Sequence, residues 1–270
     1  MRTVAVRLDR TYARSEIHDR WEVVYRGNPL LDRLNDLIMD RIIDCVQPPP
    51  GARFLDAGCG VGDHTVRIAR NGYECVGVDV SPAILQRAEE TIRALGLGTR
   101  VRFSCQALED MALDGARFDV VHCRGVLMHI PDWKAALKSL CDVLKPGGYI
   151  VILENNVNAW YSRLYLAMRR LRRRRVASRL VRTEGGTELW TDEGGRPFVA
   201  RIAKIDALTG ALREFGIEPS HRFATSLVGV EQLPAGWLRA AAIRVNEAAF
   251  RLRLPPAICK GNAIVGQKRQ

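Results

Sequence analysis

The stretch FLDAGCGVGDHT, residues 54–65, decides the fold of this chain. It places glycines at 58, 60 and 62 directly after an apolar run of strand character and before a segment of helical character. A strand-to-helix turn is rich in glycine where the backbone must approach a ligand or adopt positive φ, because side chains there would clash. The stretch therefore predicts a nucleotide-type cofactor above the first strand of a parallel sheet.

Strand-like and helix-like segments alternate around this turn. Strands are predicted at RFLDAG, ECVGVDV, VRFSCQA, FDVVHCR and YIVILEN, with helices between most of them. The helix after the second strand is expected to have Ser81 as its N-cap and Pro82 in its first position. Such an alternation is typical of parallel sheets that helices cover on both faces. The predicted fold class is α/β with a doubly wound, mostly parallel sheet.

Four segments are predicted along the chain. They are an N-terminal helical cap (1–50), a cofactor-binding core (51–156), a basic helical and loop insert (157–203) and a C-terminal completion of the sheet (204–270). Within the insert, residues 157–183 are expected to form one long basic helix. Residues 185–202 are expected to form a hairpin or loop near the pocket, with Trp190 as an apolar wall.

The composition is that of an ordinary globular protein, with 47% hydrophobic and 26% charged residues. The seven cysteines are odd in number and contain no Cys-x-x-Cys pair, which favours reduced thiols. No apolar stretch has membrane-spanning length, and the first residues lack a signal-peptide core. These features predict a cytoplasmic protein and leave contact with a membrane surface open.

Three acidic residues distinguish between cofactors. A dinucleotide site needs a third glycine at position 63, where this chain has Asp63. Asp56 precedes the glycines and would repel a pyrophosphate, whereas it would attract a cationic ligand. Asp79 ends the second strand, where a carboxylate accepts hydrogen bonds from ribose hydroxyls. S-adenosylmethionine satisfies these conditions, because it joins an adenosine without phosphates to an α-amino group and a sulfonium.

Four motifs resemble those of class I S-adenosylmethionine-dependent methyltransferases, in the order and spacing of that family: FLDAGCGVGDHT, VGVDVSPAIL, FDVVHCRGVLMHIPD and LKPGGYIVILE. The resemblance implies a seven-stranded Rossmann-like sheet with a helical lid. It also implies S-adenosylmethionine as cofactor and S-adenosylhomocysteine as product. The cofactor-binding residues that it implies are Asp56, Gly58, Gly60, Gly62, Asp79, Val80, Gln106, Ala107, Cys123 and Arg124.

In this resemblance each cofactor contact has its own role. Gly58 and Gly60 would let the backbone approach the methionine portion, and Gly62 would open the following helix. Asp56 would orient the amino group through water, and Asp79 would hold the ribose. Val80 would lie against the adenine. Gln106 and Ala107 stand at its edge, where the family commonly has Asp-Ala. Cys123 and Arg124 would offer backbone groups to the methionine end.

His129, on the loop after the fourth strand, is the candidate general base. The matching histidine of phosphoethanolamine methyltransferases works with an N-terminal tyrosine, and either Tyr12 or Tyr25 could be that partner. An alternative role for His129 is to brace its loop.

A looser resemblance links YRGNPL (25–30) to ubiquinone-biosynthesis O-methyltransferases, which makes Arg26 a candidate ligand of the cofactor carboxylate. Gly125 and Met128 stand where that family has metal-binding acidic residues, so no metal ligand is predicted and transfer is expected to be metal-independent.

The positive charge of the chain lies in its second half. Residues 1–155 carry 20 Lys/Arg and 21 Asp/Glu, whereas residues 156–270 carry 21 and 9. Eight arginines lie in RRLRRRRVASRLVR (169–182), preceded by apolar residues at helical spacing. Three interpretations stay open: a solvated lid helix whose apolar stripe packs on the core, a helix that docks on an anionic membrane, and a patch for a polyanion. Nucleic acid is disfavoured because the run is compact and no RNA-binding module is present.

The sequence thus predicts methyl transfer to an oxygen or nitrogen of a small molecule, such as a secondary metabolite or a lipid-like compound. The alternatives are a membrane-associated quinone or lipid, a phosphobase or, less favoured, RNA. An NAD-dependent oxidoreductase is the alternative outside the methyltransferases. The oligomeric state is left open.

Overall fold

The structure is a computed structural model that describes residues 8–14, 16, 19, 27–113, 115, 117–171, 178–192 and 195–269. Its main sheet has seven strands: β1 (Arg53–Ala57), β2 (Glu74–Asp79), β3 (Val101–Cys105), β4 (Phe118–Arg124), β5 (Leu144–Asn155), β9 (Ile217–Ser226) and β10 (Gly261–Lys268). Their order is β3-β2-β1-β4-β5-β10-β9. The first five are parallel, and β10 runs antiparallel to both β5 and β9.

The helices of the described residues are α1 (Asp9–Tyr12), α2 (Pro29–Val46), α3 (Asp63–Arg70), α4 (Pro82–Ala94), α5 (Trp133–Asp142), α6 (Trp160–Leu171), α7 (Ile205–Glu214) and α8 (Trp237–Arg251). Two buried clusters lie on opposite faces of the sheet, because successive strand residues point to opposite sides. Leu55 of β1 belongs to one cluster, with residues of α5 and α7. Phe54 belongs to the other, with residues of α2 and α3. The sheet is therefore covered on both faces, as a doubly wound fold requires.

Local signals fix where the cap helix α2 and the helix α4 begin. The side chain of Asn28 accepts hydrogen bonds from the amides of Leu30 and Leu31, and Pro29 takes the first position of α2. Ser81 occupies the N-cap position of α4, as predicted, but its hydroxyl donates to the carbonyl of Ala13 instead of to the helix. That bond ties the N-terminal segment to the core beside the end of β2.

A second, antiparallel sheet lies between α6 and α7 in the chain. Its strands are β6 (Ser178–Thr183), β7 (Gly186–Asp192) and β8 (Pro197–Ala203), in the order β6-β7-β8. The prediction of one helix over 157–183 is wrong, because α6 ends at Leu171 and Ser178–Thr183 pairs with β7 in a ladder. The hairpin expected over 185–202 is present as β7 and β8. The insert is therefore part helix and part sheet.

Candidate active site

A cavity of about 740 Å³ opens at the carboxyl ends of β1, β2 and β4. One end is lined by the glycine turn after β1, including Gly58 and Gly60. The other end is enclosed by the loop after β4, by α6 and by the two strands β7 and β8 of the insert. The cavity therefore joins the predicted cofactor site to the side of the molecule that carries His129.

The glycine turn forms a cradle that only glycine can build. Gly58, Gly60 and Gly62 have φ values of 70°, 54° and 86°, which side chains rarely tolerate. A Cβ atom at position 58 would overlap the side chain of Val126, whereas a Cβ at position 60 would meet no atom within 4 Å. A side chain at 60 would thus occupy open space beside the cavity. This geometry fits a ligand that approaches the backbone closely.

Asp79 ends β2 at the edge of the cavity and is 8% exposed. One carboxylate oxygen accepts from the amide of Gly60 at 3.0 Å, and the other accepts from the amide of Ser81 at 3.0 Å. The carboxylate is therefore held rigidly between the glycine turn and the start of α4. Val80 follows it and also lines the cavity.

Gln106, which directly follows β3, lines the cavity, and both ends of its side-chain amide form hydrogen bonds within the protein. Its Oε1 accepts from the amide of Ala112 at 2.8 Å, and its Nε2 donates to Ser104 Oγ at 2.8 Å. Ala107 is not among the lining residues, whereas its neighbours Leu108 and Glu109 are. This edge of the cavity is thus built from residues on both sides of Ala107.

Asp56 lies beneath the glycine turn and does not line the cavity. Its two oxygens pair with Thr65 Oγ1 at 2.6 Å and with His122 Nδ1 at 2.9 Å, and the residue is 3% exposed. The placement gives Asp56 no direct access to the cavity, so its orientation of the cofactor amino group through water stays a prediction. Because both partners come from elements that flank β1, the carboxylate supports the turn from below.

Cys123 and Arg124 end β4 and behave differently. Cys123 is buried in the core and is absent from the cavity wall, and burial raises the pKa of its thiol well above the usual range. Arg124 lines the cavity next to the glycine turn. Its Nη1 donates to Asn35 Oδ1 at 2.7 Å and contacts His64 Nε2 at 2.6 Å.

His129 and Tyr12 meet over one peptide group of the insert. His129 Nδ1 lies 2.8 Å from the carbonyl oxygen of Val199 and 3.3 Å from the Tyr12 hydroxyl. The Tyr12 hydroxyl donates to that carbonyl at 2.7 Å and accepts from the amide of Val199 at 3.1 Å. The structure thus brings together the predicted pair of histidine and N-terminal tyrosine. Tyr25 and Arg26, the other predicted N-terminal site residues, lie outside the described residues.

A buried ion pair fastens the loop that carries His129. Arg201 of β8 contacts Glu188 of β7 at 2.7 Å, and both side chains are at least nine-tenths buried. The same guanidinium donates to the carbonyl oxygens of Leu127, Ile130 and Pro131 at 2.9 to 3.1 Å. The loop after β4 is therefore locked to the sheet of the insert.

Glu154, the last residue but one of β5, faces the same loop. Its Oε1 accepts from the amide of Met128 at 3.2 Å, while its buried Oε2 has no hydrogen-bond partner among the described residues. Burial raises the pKa of this carboxyl to about 7, although the Met128 amide and the charge of Arg201 act in the opposite direction. The cavity thus contains a carboxyl group that titrates near neutral pH.

Residues 49–183, half of the chain, match a family model described as a methyltransferase domain. The chain belongs to this family. A curated relative, the ubiquinone biosynthesis O-methyltransferase of Alkalilimnicola ehrlichii, is 35% identical over 139 residues. That match covers 51% of this chain and 55% of the relative, so the chain spans about half the length of the curated relatives it matches.

Solved structures of methyltransferases share the fold of this domain. Magnesium protoporphyrin IX methyltransferase from Synechocystis, with bound S-adenosylhomocysteine, has a TM-score of 0.63 at 16% identity and covers 96% of this chain and 97% of its own. An S-adenosylmethionine-dependent methyltransferase from Clostridium acetobutylicum has a TM-score of 0.60 at 14% identity, with coverages of 95% and 98%. The predicted methyltransferase family, its fold and S-adenosylmethionine as its cofactor are confirmed at the level of the family. The oxidoreductase alternative is not favoured.

Several residues that line or support the cavity were missed from the sequence. Some of them lie outside the motifs that carry the resemblance, and the others were not assigned to the cavity. They are the supporting pair Arg201–Glu188 and the lining residues Asn35, His64 and Glu154. Trp190 does not line the cavity, whereas the adjacent Leu189 does. The reason is strand alternation, which directs neighbouring residues to opposite faces. The sequence signal that could have found them is the alternation of side chains along β7 and β8. It places Leu189 and Ala200 on the cavity face and Glu188 and Arg201 on the opposite face.

Proposed function

We propose that this chain transfers the methyl group of S-adenosylmethionine to an oxygen or nitrogen of a small-molecule acceptor. The single observation that carries the proposal is the continuous cavity, which runs from the glycine turn and Asp79 to His129. A transfer of this kind needs the donor and the acceptor aligned in one enclosed space. Bound S-adenosylmethionine supplies a methyl group already activated by the sulfonium. The protein therefore has to align the reactants, exclude water from them and provide a base.

The proposed cofactor ligands are those whose placement fits. Gly58 and Gly60 would receive the methionine portion, because both line the cavity and the space beside Gly60 is open. Asp79 would accept hydrogen bonds from the ribose hydroxyls, since its carboxylate is fixed at the cavity edge by two backbone amides. Val80 and Gln106 would flank the adenine.

His129 would act as the general base. A carbonyl oxygen only accepts hydrogen bonds, so the contact with Val199 requires the proton of a neutral imidazole to be on Nδ1. The lone pair is then on Nε2, which would take the proton of an acceptor hydroxyl or ammonium as the methyl group is transferred. Tyr12 would hold the imidazole through the shared peptide group.

The apolar side of the cavity favours an acceptor with an apolar or aromatic body. Ile130, Leu189, Phe198 and Ile202 line it, together with Tyr165 of α6. Such walls exclude water from the reacting atoms and contact a hydrophobic ring or chain favourably. This supports a lipid-like compound or a secondary metabolite as acceptor.

Calorimetry and a transfer assay test the proposal. Titration of the cofactor-free protein with S-adenosylhomocysteine should show binding, and NAD should show none. Incubation with S-adenosylmethionine labelled in its methyl group and a panel of phenols, amines and carboxylic acids should then identify acceptors. Tight binding of NAD together with indifference to S-adenosylhomocysteine would overturn the proposal.

A second candidate places the reaction at an anionic membrane surface. Trp160, Leu164, Met168 and Leu171 form a stripe along α6 and are 48%, 50%, 43% and 87% exposed. The interpretation that packs this stripe on the core disagrees with these exposures. Tyr161, Ser162 and Tyr165 of the same helix line the cavity, so α6 separates the cavity from an exposed apolar face.

Charge makes an anionic bilayer the favoured partner of this stripe. Arg163, Arg169 and Arg170 lie on the same helix, and the region 169–182 holds eight arginines in all. Apolar side chains with adjacent arginines suit the interface of anionic lipid. Among the residues that the structure describes, no helix has the length and hydrophobicity of a membrane span.

Vesicle sedimentation tests the membrane candidate. The protein should bind vesicles of phosphatidylcholine mixed with phosphatidylserine, should bind pure phosphatidylcholine weakly, and should dissociate as salt is raised. A Leu164→Ser/Leu171→Ser variant should lose this binding, whereas Leu238→Ser, on the 41% exposed Leu238 of α8, should keep it. Salt-sensitive binding to RNA without binding to vesicles would instead support the polyanion interpretation.

A further inference from the structure

Polar side chains line the cavity on the side of β9 and β10. Thr225 and Ser226 are the last residues of β9, and Lys260 directly precedes β10. Gly261, the first residue of β10, pairs with Ser226 on one side and with Asn155 at the end of β5 on the other. In the strand order, β4 and β5 separate these residues from the glycine turn after β1. The cavity therefore has a polar side opposite the proposed cofactor site.

Lys260 is fixed at this side of the cavity, and its side chain is 11% exposed. Its carbonyl accepts from the amide of Asn156 at 2.6 Å, and its amide donates to the carbonyl of Leu227 at 3.4 Å. Its Nζ donates to Glu231 Oε1 at 2.7 Å. An ammonium has three N–H donors, and the other two have no partner among the described residues. Since unused donors are costly in a buried group, the ammonium is suited to bind an oxygen of a ligand.

Two hydroxyl groups converge beside this lysine. A Cβ atom at position 261 would overlap both Thr225 Oγ1 and Ser226 Oγ, so Gly261 is what lets the two oxygens approach each other. Neither hydroxyl forms a hydrogen bond with a described residue, although Thr225 is only 8% exposed. Each can donate to a ligand oxygen. The ammonium and the two hydroxyls therefore present several donors to the same side of the cavity.

The local charge favours a neutral oxygen over a carboxylate. Glu231 pairs with Lys260 from a turn that Asn246 of α8 holds, since Asn246 Oδ1 accepts from the amides of Leu227 and Val228 at 2.9 Å. A ligand carboxylate beside Lys260 would be repelled by the charge of Glu231. A hydroxyl or carbonyl oxygen accepts from the ammonium without this repulsion.

We propose that Lys260, Thr225 and Ser226 bind a neutral oxygen of the methyl acceptor, a hydroxyl or carbonyl at the end away from the atom that receives the methyl group. This assignment rests on the proposed function and narrows its substrate class to compounds with an apolar body and such a distal oxygen. Strand β10 is two strands from β4, which leads into the loop of His129. At about 4.8 Å per strand, the two ends are roughly 10 Å apart, which is the length of a compound with two rings.

Calorimetry with two phenols on protein saturated with S-adenosylhomocysteine tests the assignment. The probes are 4-hydroxybiphenyl and 4,4′-dihydroxybiphenyl, which carries a second hydroxyl at its other end. The wild-type protein should bind the diol about tenfold more tightly, because the second hydroxyl accepts from a charged donor. Lys260→Met should reduce this preference to about the twofold that two equivalent hydroxyls give by number alone. Thr225→Val, which keeps the shape of the side chain, should reduce it in part.

Unchanged binding of 4-hydroxybiphenyl by both variants shows that their cavity is folded. Lys138→Met, on a side chain of α5 that is 58% exposed, should keep the full preference for the diol. A third probe, 4′-hydroxybiphenyl-4-carboxylic acid, should bind the wild-type protein more weakly than the diol because of Glu231.

Three results would overturn the assignment: no preference for the diol in the wild-type protein, an unchanged preference in Lys260→Met, and tighter binding of the acid than of the diol. Failure of both phenols to bind would also overturn it. In each of these cases the proposed function stands, because S-adenosylhomocysteine is bound. If the wild-type protein does not bind S-adenosylhomocysteine, the proposed function itself fails.

Discussion

The Nδ1 atom of His129 lies 2.8 Å from the carbonyl oxygen of Val199 and so joins the loop after β4 to strand β8 of the insert. This contact fixes the tautomer of the imidazole, because the carbonyl can only accept a hydrogen bond. It also makes the insert part of the proposed active site, since β8 orients the proposed base. The insert is therefore expected to affect turnover as well as acceptor choice.

Removal of the imidazole tests its proposed role. His129→Ala should slow methyl transfer roughly a hundredfold or more with any acceptor that supports turnover, because a positioned base contributes about that much. Binding of S-adenosylhomocysteine should change little. His221→Ala, on an exposed histidine of β9, should leave the rate unchanged. A rate within a few-fold of wild type would reduce His129 to support of its loop.

Loss of the Asp79 carboxylate should weaken cofactor binding. Asp79→Ala removes both the proposed ribose ligand and the acceptor of the Gly60 amide. The dissociation constant of S-adenosylhomocysteine should rise about tenfold or more, which corresponds to about 1.4 kcal/mol. Calorimetry measures it, with Asp142→Ala on the exposed end of α5 as control. An unchanged constant would contradict the ribose assignment.

Removing one partner of the buried pair Arg201–Glu188 should cost far more stability than removing one partner of an exposed pair. Arg201→Met leaves the carboxylate of Glu188 buried without its cation and frees the loop carbonyls of Leu127, Ile130 and Pro131. Breaking a buried pair from one side costs about 3–5 kcal/mol. The free energy of unfolding, measured with denaturant, should fall by about this amount.

A matched control comes from the exposed pair Arg213–Glu218, whose side chains are 56% and 51% exposed. Arg213→Met should cost less than about 1 kcal/mol, because solvent screens such pairs. Equal losses in the two variants would show that burial of Arg201–Glu188 adds nothing to stability.

The elements that the sequence predicts best are those with local signals. FDVVHCR was predicted as a strand and is β4, residue for residue, because a buried parallel strand is a short apolar run. The glycine turn and Asp79 are predicted as cofactor ligands because the motif sets their spacing within one βαβ unit. These signals cover the cofactor half of the site.

The other half depends on contacts between distant residues. The sequence predicts helix for β6, because the local pattern does not show its pairing with β7. That pairing decides its conformation and is not a local property. The helix α8 (Trp237–Arg251) was not predicted, because the exposed Trp237, Leu238 and Val245 blur its apolar face. The sequence does not predict that Thr65 and His122, from two other elements, engage the oxygens of Asp56, because these contacts join distant residues.

Glu154 should make the stability of the protein depend on pH near neutrality. Its carboxyl has a pKa of about 7 when folded, against 4.5 as its ordinary value, because it is buried. Between these values the folded protein keeps a proton that the unfolded chain has released. The contribution of Glu154 to the free energy of unfolding should therefore be highest below about pH 4.5. It should then fall as pH rises towards 7, by on the order of 3 kcal/mol.

Glu154→Gln isolates this effect, because the amide does not titrate and keeps a carbonyl oxygen for the Met128 amide. The difference in unfolding free energy between wild type and variant should decline across that window and level off above it. Glu184→Gln, on a carboxyl that is 73% exposed, should run parallel to wild type. If Glu154→Gln also runs parallel to wild type, Glu154 is ionised throughout in the folded protein. Its carboxylate would then act as a fixed acceptor for the loop that carries His129.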